Sequence, residues 1–290
     1  MSLIRHIGDM TLHRIIEDQA ALMPIRDFLP GLSAEVLEAH RDWLSAAGAL
    51  DPSNDHIILC FQSYIIKTPH HTILVDSCLG NDKNRPHRPR WHQKSDTRYM
   101  SALAQAGIGV DEIDYVMCTH LHVDHVGWNT RLENGHWVPT FPKARYLFSK
   151  QEYAFWEERS RSETLDHIVD SVLPIVASGR ADLISSSDAL NDHVRLMPTP
   201  GHTIDHFAVA LGVKQDEAVL VGDLFHSPLQ IKYPDLFMRL DYDGAQSTQS
   251  RKSFLQRYAD TPTLCCTAHF PSPSIGQIKS DGSHYRCDMV

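Results

Sequence analysis

From residue 57 the chain alternates short apolar, β-rich runs with helical stretches. The runs are Ile57–Ile66, Thr72–Asp76, Tyr115–Cys118, Arg145–Phe148, Val194–Met197, Phe207–Leu211, Ala218–Val221 and Thr263–Cys266, and they read as strands. Helices are predicted over 97–107 and 248–260. Ser149-Lys150-Gln151-Glu152 has the spacing of a capping box and opens another. A further helix carries Leu165, Ile168, Val169, Val172 and Val176 on one face. Pro174 falls inside that stripe and predicts a kink or an early end. Alternating strands and helices predict an α/β architecture with helices covering sheet faces. The first fifty residues read differently. Ser33 caps a helix with Glu35 in its first turn, Val36, Leu37, His40 and Leu44 share a face, and Gly48 ends it. The expectation is one domain over 1–290, with residues 1–50 as an N-terminal helical arm packed on it or meeting a second subunit in a homodimer.

The pattern repeats once. Thr72-Ile-Leu-Val-Asp-Ser matches Ala218-Val-Leu-Val-Gly-Asp, an apolar strand that ends on an acid. Each is followed by a predicted helix and then by a strand ending near a histidine, His120 or His269. Asp76 lies 44 positions before His120, and Asp223 lies 46 before His269. Two similar halves follow, each delivering an acid and a histidine from strand ends to one edge.

Composition narrows the class. With 290 residues, 42% hydrophobic and 22% charged, the chain is of globular type. Its net charge of −9 argues against nucleic acid as a partner. The longest apolar run, Ile57–Ile66, is broken by Gln62 and Ser63 and falls short of the roughly 20 residues that span a membrane. The start Met-Ser-Leu-Ile-Arg-His lacks the pattern of a secretory signal. The six cysteines include no C-x-x-C pair and read as reduced thiols in the cytoplasm. Nineteen histidines are many for such a chain, so what matters is whether they converge.

Thr119-His120-Leu121-His122-Val123-Asp124-His125-Val126-Gly127 places four metal-ligand residues within six positions, directly after an apolar strand. On extended backbone His120 and His122 project to one side, and a turn at Asp124 and His125 aims those two at a second point. The spacing suits two neighbouring metals better than one, and it lacks the paired thiolates of a structural zinc finger. Pro200-Gly201-His202, Val221-Gly222-Asp223 and Thr267-Ala268-His269 each place a further ligand type after a strand.

This series of H-x-H-x-D-H, G-H, G-D and a C-terminal histidine, preceded by Leu74-Val75-Asp76, resembles the metallo-β-lactamase superfamily of hydrolases over about residues 57 to 270. The resemblance implies a four-layer αβ/βα sandwich and a binuclear site. In it His120, His122 and His202 hold one metal, Asp124, His125 and His269 the other, Asp223 bridges, and Asp76 steadies a ligand from behind. Two divalent ions lower the pKa of a bridging water to about 7 and polarise a carbonyl or phosphoryl oxygen. Imidazole and carboxylate ligands suit zinc, and also manganese, iron or cobalt.

Gly222-Asp223-Leu224-Phe225-His226, with Gln230 and Pro234-Asp235, is similar to the methyl parathion hydrolase branch. Neighbouring acyl-homoserine-lactone lactonases typically carry a tyrosine where this chain has His226, so His226 is expected to border the site and contact substrate or leaving group. Asp124 is expected to carry a proton to that leaving group. Trp128 and Phe225 are expected as apolar walls of a small-molecule pocket. Residues 83–94 carry Lys83, Arg85, Arg88, Arg90 and Lys94 with no acid; they read as a solvated loop or as one that draws an anion to the site mouth. The resulting reading is a cytoplasmic binuclear hydrolase of a lactone or carboxylic ester. The alternatives are a phosphotriester hydrolase and, in another class, a mononuclear-iron oxygenase acting on a thiol or persulfide.

Overall fold

The computed structural model describes residues 4–290. The chain forms two compact units that interleave along the sequence. The first takes the N-terminal stretch to Asp18 and Phe61–Ser186; the second takes Gln19–Cys60 and Ser187–Val290. Two of the three boundaries fall inside long strands, Met10–Pro24 and His56–Lys67.

In the first unit Thr72–Val75 pairs in parallel with Tyr115–Met117, Ile73 opposite Tyr115 and Val75 opposite Met117. The helix Arg98–Gln105 makes the crossover that a parallel pair requires. Arg145–Ser149 and Ala181–Ile184 continue the parallel run. Strands of this kind are covered on both faces, which explains why they read as unbroken apolar runs. Leu74, Val116, Tyr146 and Phe148 pack with Tyr99, Leu103, Trp156, Ile168, Val172 and Ile175 from the helices. Pro174 divides the predicted helix: Asp166–Ser171 and Leu173–Ala177 meet at Val172. Ile168 and Val172 are buried, whereas Val169 is 52% exposed. Half of the capping box at Ser149 forms. The Ser149 hydroxyl accepts from the Glu152 amide at 3.3 Å. The Glu152 carboxylate is buried and accepts instead from Trp156 Nε1 (2.6 Å).

The second unit carries a seven-stranded sheet. Along it Ala218–Leu220 pairs in parallel with Leu264–Cys266, Val219 opposite Cys265, and the helix Gly244–Tyr258 is the crossover. The repeat read from the sequence is therefore a parallel strand–helix–strand arrangement present in each unit. Phe225, Phe254, Leu255, Tyr258 and Val219 form this unit's core.

The N-terminal segment departs from the expected helical arm. Ile4–Ile7 and Met10–Pro24 are paired strands, and the long helix is confined to Ala34–Ala46. The two-residue turn Gly8-Asp9, with Gly8 at φ +57°, allows the hairpin. Two further hairpins turn on Asn134-Gly135 and Gly282-Ser283. Among the described residues no helix is long and apolar enough to cross a membrane, and all six cysteines are free.

Candidate metal centre

The first unit supplies His120, His122, Asp124 and His125. The strand ends at Met117, and residues 118–125 run as an irregular loop rather than the extended segment expected. Asp76, just beyond Thr72–Val75, holds that loop. Its carboxylate is buried and accepts from Thr119 N (2.8 Å), Thr119 Oγ1 (3.0 Å) and His125 Nδ1 (2.9 Å). It does so from φ +58°, a left-handed conformation that aspartate tolerates better than most residues. The His125 amide donates to the His122 carbonyl (3.1 Å), which makes the expected turn. The His120 ring centroid then lies 4.1 Å from that of His125 and 4.7 Å from that of His122. Gly127 lets the loop sit down: a Cβ there would meet the Leu79 carbonyl at 2.0 Å.

The second unit supplies His202, Asp223, His226 and His269. Asp223 is the hub. Its carboxylate has His202 Nε2 and His226 Nε2 at 3.1 Å and His269 Nε2 at 3.0 Å. One ligand atom each of Asp223, His226 and His269 lies within 4.8 Å of the others. The far nitrogens of the rings are committed: His202 Nδ1 to Asp241 Oδ1 (2.8 Å) and His269 Nδ1 to the Cys60 carbonyl (2.9 Å). Fixing Nδ1 in this way orients each ring and turns its Nε2 toward Asp223. The Asp223 amide donates to His206 Nε2 (3.0 Å), and His206 Nδ1 engages Thr199 Oγ1 (2.8 Å).

Charge is unequally shared around the hub. Burial by itself would lower His202, but the Asp223 and Asp241 carboxylates outweigh it and raise its pKa to about 9. His226 faces one carboxylate and lies beside His202 and His269, so burial wins and pushes it down to about 4. The His226 ring stacks on His269 (centroids 5.2 Å, 12°) and meets Phe28 edge-on.

Two residues expected as walls of a pocket are buried. Trp128 is a core residue, stacked on Tyr99 at 5.3 Å with its indole N–H donated to Glu17 (2.8 Å). Phe225 is fully buried against Phe254. Both side chains pack in the cores of their units. The loop 83–94 is not uniformly solvated either: Lys83, Arg85 and Lys94 are buried on Asp170 and Glu17. Asp241, His206 and the Cys60 carbonyl were missed by sequence reasoning. Asp241 lies 39 positions from His202, with no motif to connect them.

Residues 62–269 match the family model for the metallo-beta-lactamase superfamily, and the chain belongs to that superfamily. The fold supports this. The chain is similar to hydrolase AbOPH of the β-lactamase superfamily, at 22% identity and a TM-score of 0.82, covering 100% of this chain and 97% of that one. It is similar also to AidC, a dizinc quorum-quenching lactonase solved with a homoserine product, at 21% identity and a TM-score of 0.81 with the same coverage. A Caenorhabditis elegans protein described as a beta-lactamase-like protein 2 homolog is 27% identical over 164 residues, 56% of this chain. The match spans 43% of that relative's length.

Proposed function

We propose that the protein is a binuclear metal-dependent hydrolase, with zinc the best-suited ion, that opens a lactone or cleaves a carboxylic ester. The observation that carries this reading is the Asp223 carboxylate ringed by three imidazole Nε2 atoms, with two of those rings anchored from behind. The donor set fits divalent ions: imidazoles and carboxylates, no thiolate, and second partners that fix the tautomers. In this assignment His120, His122 and His202 would hold one ion and Asp124, His125 and His269 the other, with Asp223 shared between them. Bound ions would supply an activated water at neutral pH and polarise the substrate carbonyl.

The chain's own residues do the rest. Asp76 and Asp241 accept from Nδ1 of His125 and His202 and so turn the Nε2 of each ring toward the ion it would hold. His226 holds Asp223 Oδ2 and borders the substrate. Asp124 carries a proton to the departing alkoxide oxygen. The structures of lactonases and the hydrolase of the same fold support a small-molecule ester or lactone. The test is proton release from an N-acyl-homoserine lactone and from a neutral aryl ester, with metal content measured on the same sample. Chelator-sensitive release, restored by zinc at two ions per chain, is expected. One iron per chain with no hydrolysis would overturn the reading in favour of the oxygenase.

A further inference from the structure

Four of the five cations in the loop 83–94 are committed within the first unit. Lys83 Nζ donates to Thr130 Oγ1 (2.6 Å) and lies 3.8 Å from Asp170. Arg85 grips the same Asp170 with both terminal nitrogens, at 2.7 and 3.0 Å. Arg90 pairs with Asp18 (2.7 Å) and Lys94 with Glu17 (2.6 Å). Arg88 has no such partner: among the described residues no carboxylate forms an ion pair with it. Its guanidinium lies over the Trp91 ring, 4.7 Å from the centroid, and Trp91 stands edge-on to Phe61 at 5.2 Å. The Trp91 indole Nε1 is buried and has no acceptor.

The loop presents Arg88 in a fixed place. The Arg88 amide donates to the Arg85 carbonyl (2.8 Å), and the Arg88 carbonyl accepts from Trp91 N (2.8 Å) and His92 N (3.0 Å). Pro86 and Pro89 restrict the backbone on either side. Pinned flanks at Arg85 and Arg90 leave little entropy to lose when a ligand binds the tip.

Arg88 also belongs with the candidate site. His122 meets Trp156 edge-on at 5.6 Å, and Trp156 meets His167 at 5.4 Å. The charges of both Arg88 and Asp124 act on His167, and Asp124 acts on Arg88. An Asp124 engaged as a metal ligand is no counter-ion for a guanidinium. We propose that Arg88 is a specificity-determining residue: its guanidinium, held over Trp91, binds an anionic group of the substrate, a carboxylate remote from the scissile ester or lactone bond. An arginine fork matches a carboxylate in shape and charge, and the indole face beneath it holds the guanidinium in one orientation. This inference rests on the hydrolase reading above.

The test compares two inert amides that differ in one group, N-phenylsuccinamic acid and neutral N-phenylbutanamide. Their binding to the metal-loaded protein is measured by calorimetry at low salt, and hydrolysis of a neutral aryl ester is followed in parallel. The wild type is expected to bind the acid about five- to tenfold more tightly. Arg88→Gln is expected to lose that preference, and Arg88→Lys to keep part of it. Arg90→Gln, which removes the same charge from a residue committed to Asp18, is expected to retain it. Equal binding of the two amides by the wild type, or a preference that survives in Arg88→Gln, would overturn the proposal; the latter result would mean that the acid sits on the metals. A preference lost in Arg88→Gln without ester hydrolysis by any variant would uphold Arg88 as the anion site and instead remove the hydrolase reading.

Discussion

Asp76→Asn tests the reasoning about ring orientation at the cost of one atom type. Asparagine has the same shape and tolerates the left-handed backbone at φ +58°, so the fold has no steric reason to respond. The hydrogen bonds do. Asp76 accepts from Thr119 N, Thr119 Oγ1 and His125 Nδ1, and an amide offers one accepting oxygen. If that oxygen faces Thr119, the amide N–H faces His125 Nδ1 and draws the imidazole proton to Nε2, where it occupies the lone pair that a metal needs. If the oxygen faces His125, two donors oppose each other at the Thr119 amide, and a buried unsatisfied group costs about 1–3 kcal/mol. Either arrangement predicts a loss of about 10- to 100-fold in metal affinity at the His125 position, which is about 1.4–2.8 kcal/mol. The assay is competition for zinc against a chromophoric chelator. Melting in excess chelator reports separately on the metal-free fold. A variant that binds zinc within about twofold of wild type would refute both the orienting role of Asp76 and the ligand role of His125.

Gly201 has φ +124°, and a Cβ there would lie 2.0 Å from the Ser247 amide nitrogen, so Gly201→Ala should destabilise the protein by more than about 3 kcal/mol or displace His202 and lower metal content. An unchanged Tm together with full metal occupancy would contradict this. His226→Ala should lower kcat by about 10- to 100-fold with metal content preserved, because Asp223 loses a partner at 3.1 Å; steady-state kinetics with metal analysis decides it, and an unchanged kcat would leave His226 a packing residue. Burial pushes Lys83 down to about 7 against 10.5 for a free lysine, with Asp170 only partly compensating. The unfolded chain therefore holds more protons than the folded one between these two values, and this group makes stability rise with pH across that window, by up to about 1.4 kcal/mol per unit. Lys83→Met should gain on the wild type most at pH 6 and least at pH 10, read by denaturant unfolding; a pH-independent difference would show that Lys83 does not titrate there.

What the sequence determined by itself was local and periodic. Strand positions such as Thr72–Val75 and Ala218–Leu220 were legible because parallel strands buried on both faces leave unbroken apolar runs. The seven candidate ligands were legible because each follows a strand end in a short motif. Three hairpins were written in two-residue turns, Gly8-Asp9, Asn134-Gly135 and Gly282-Ser283, yet the polar alternation of their strands hid them, and the first made residues 4–24 read as part of a helical arm. Pro174 marked a break, but whether it kinked or ended the helix depended on which face of Ile168 and Val172 the core would take.

Tertiary structure decided the rest, because the deciding partners lie far apart along the chain. Asp241 reaches His202 across 39 residues and Cys60 reaches His269 across 209; nothing in either local sequence signals the pairing. Burial likewise sorted residues that looked alike: Trp128 and Phe225 went into cores, and four cations of one loop took buried or partly buried acids while Arg88 did not. A charged or aromatic side chain next to a motif has the same sequence signature whether it is spent in packing or left for a ligand. Only the three-dimensional count of its partners separates the two.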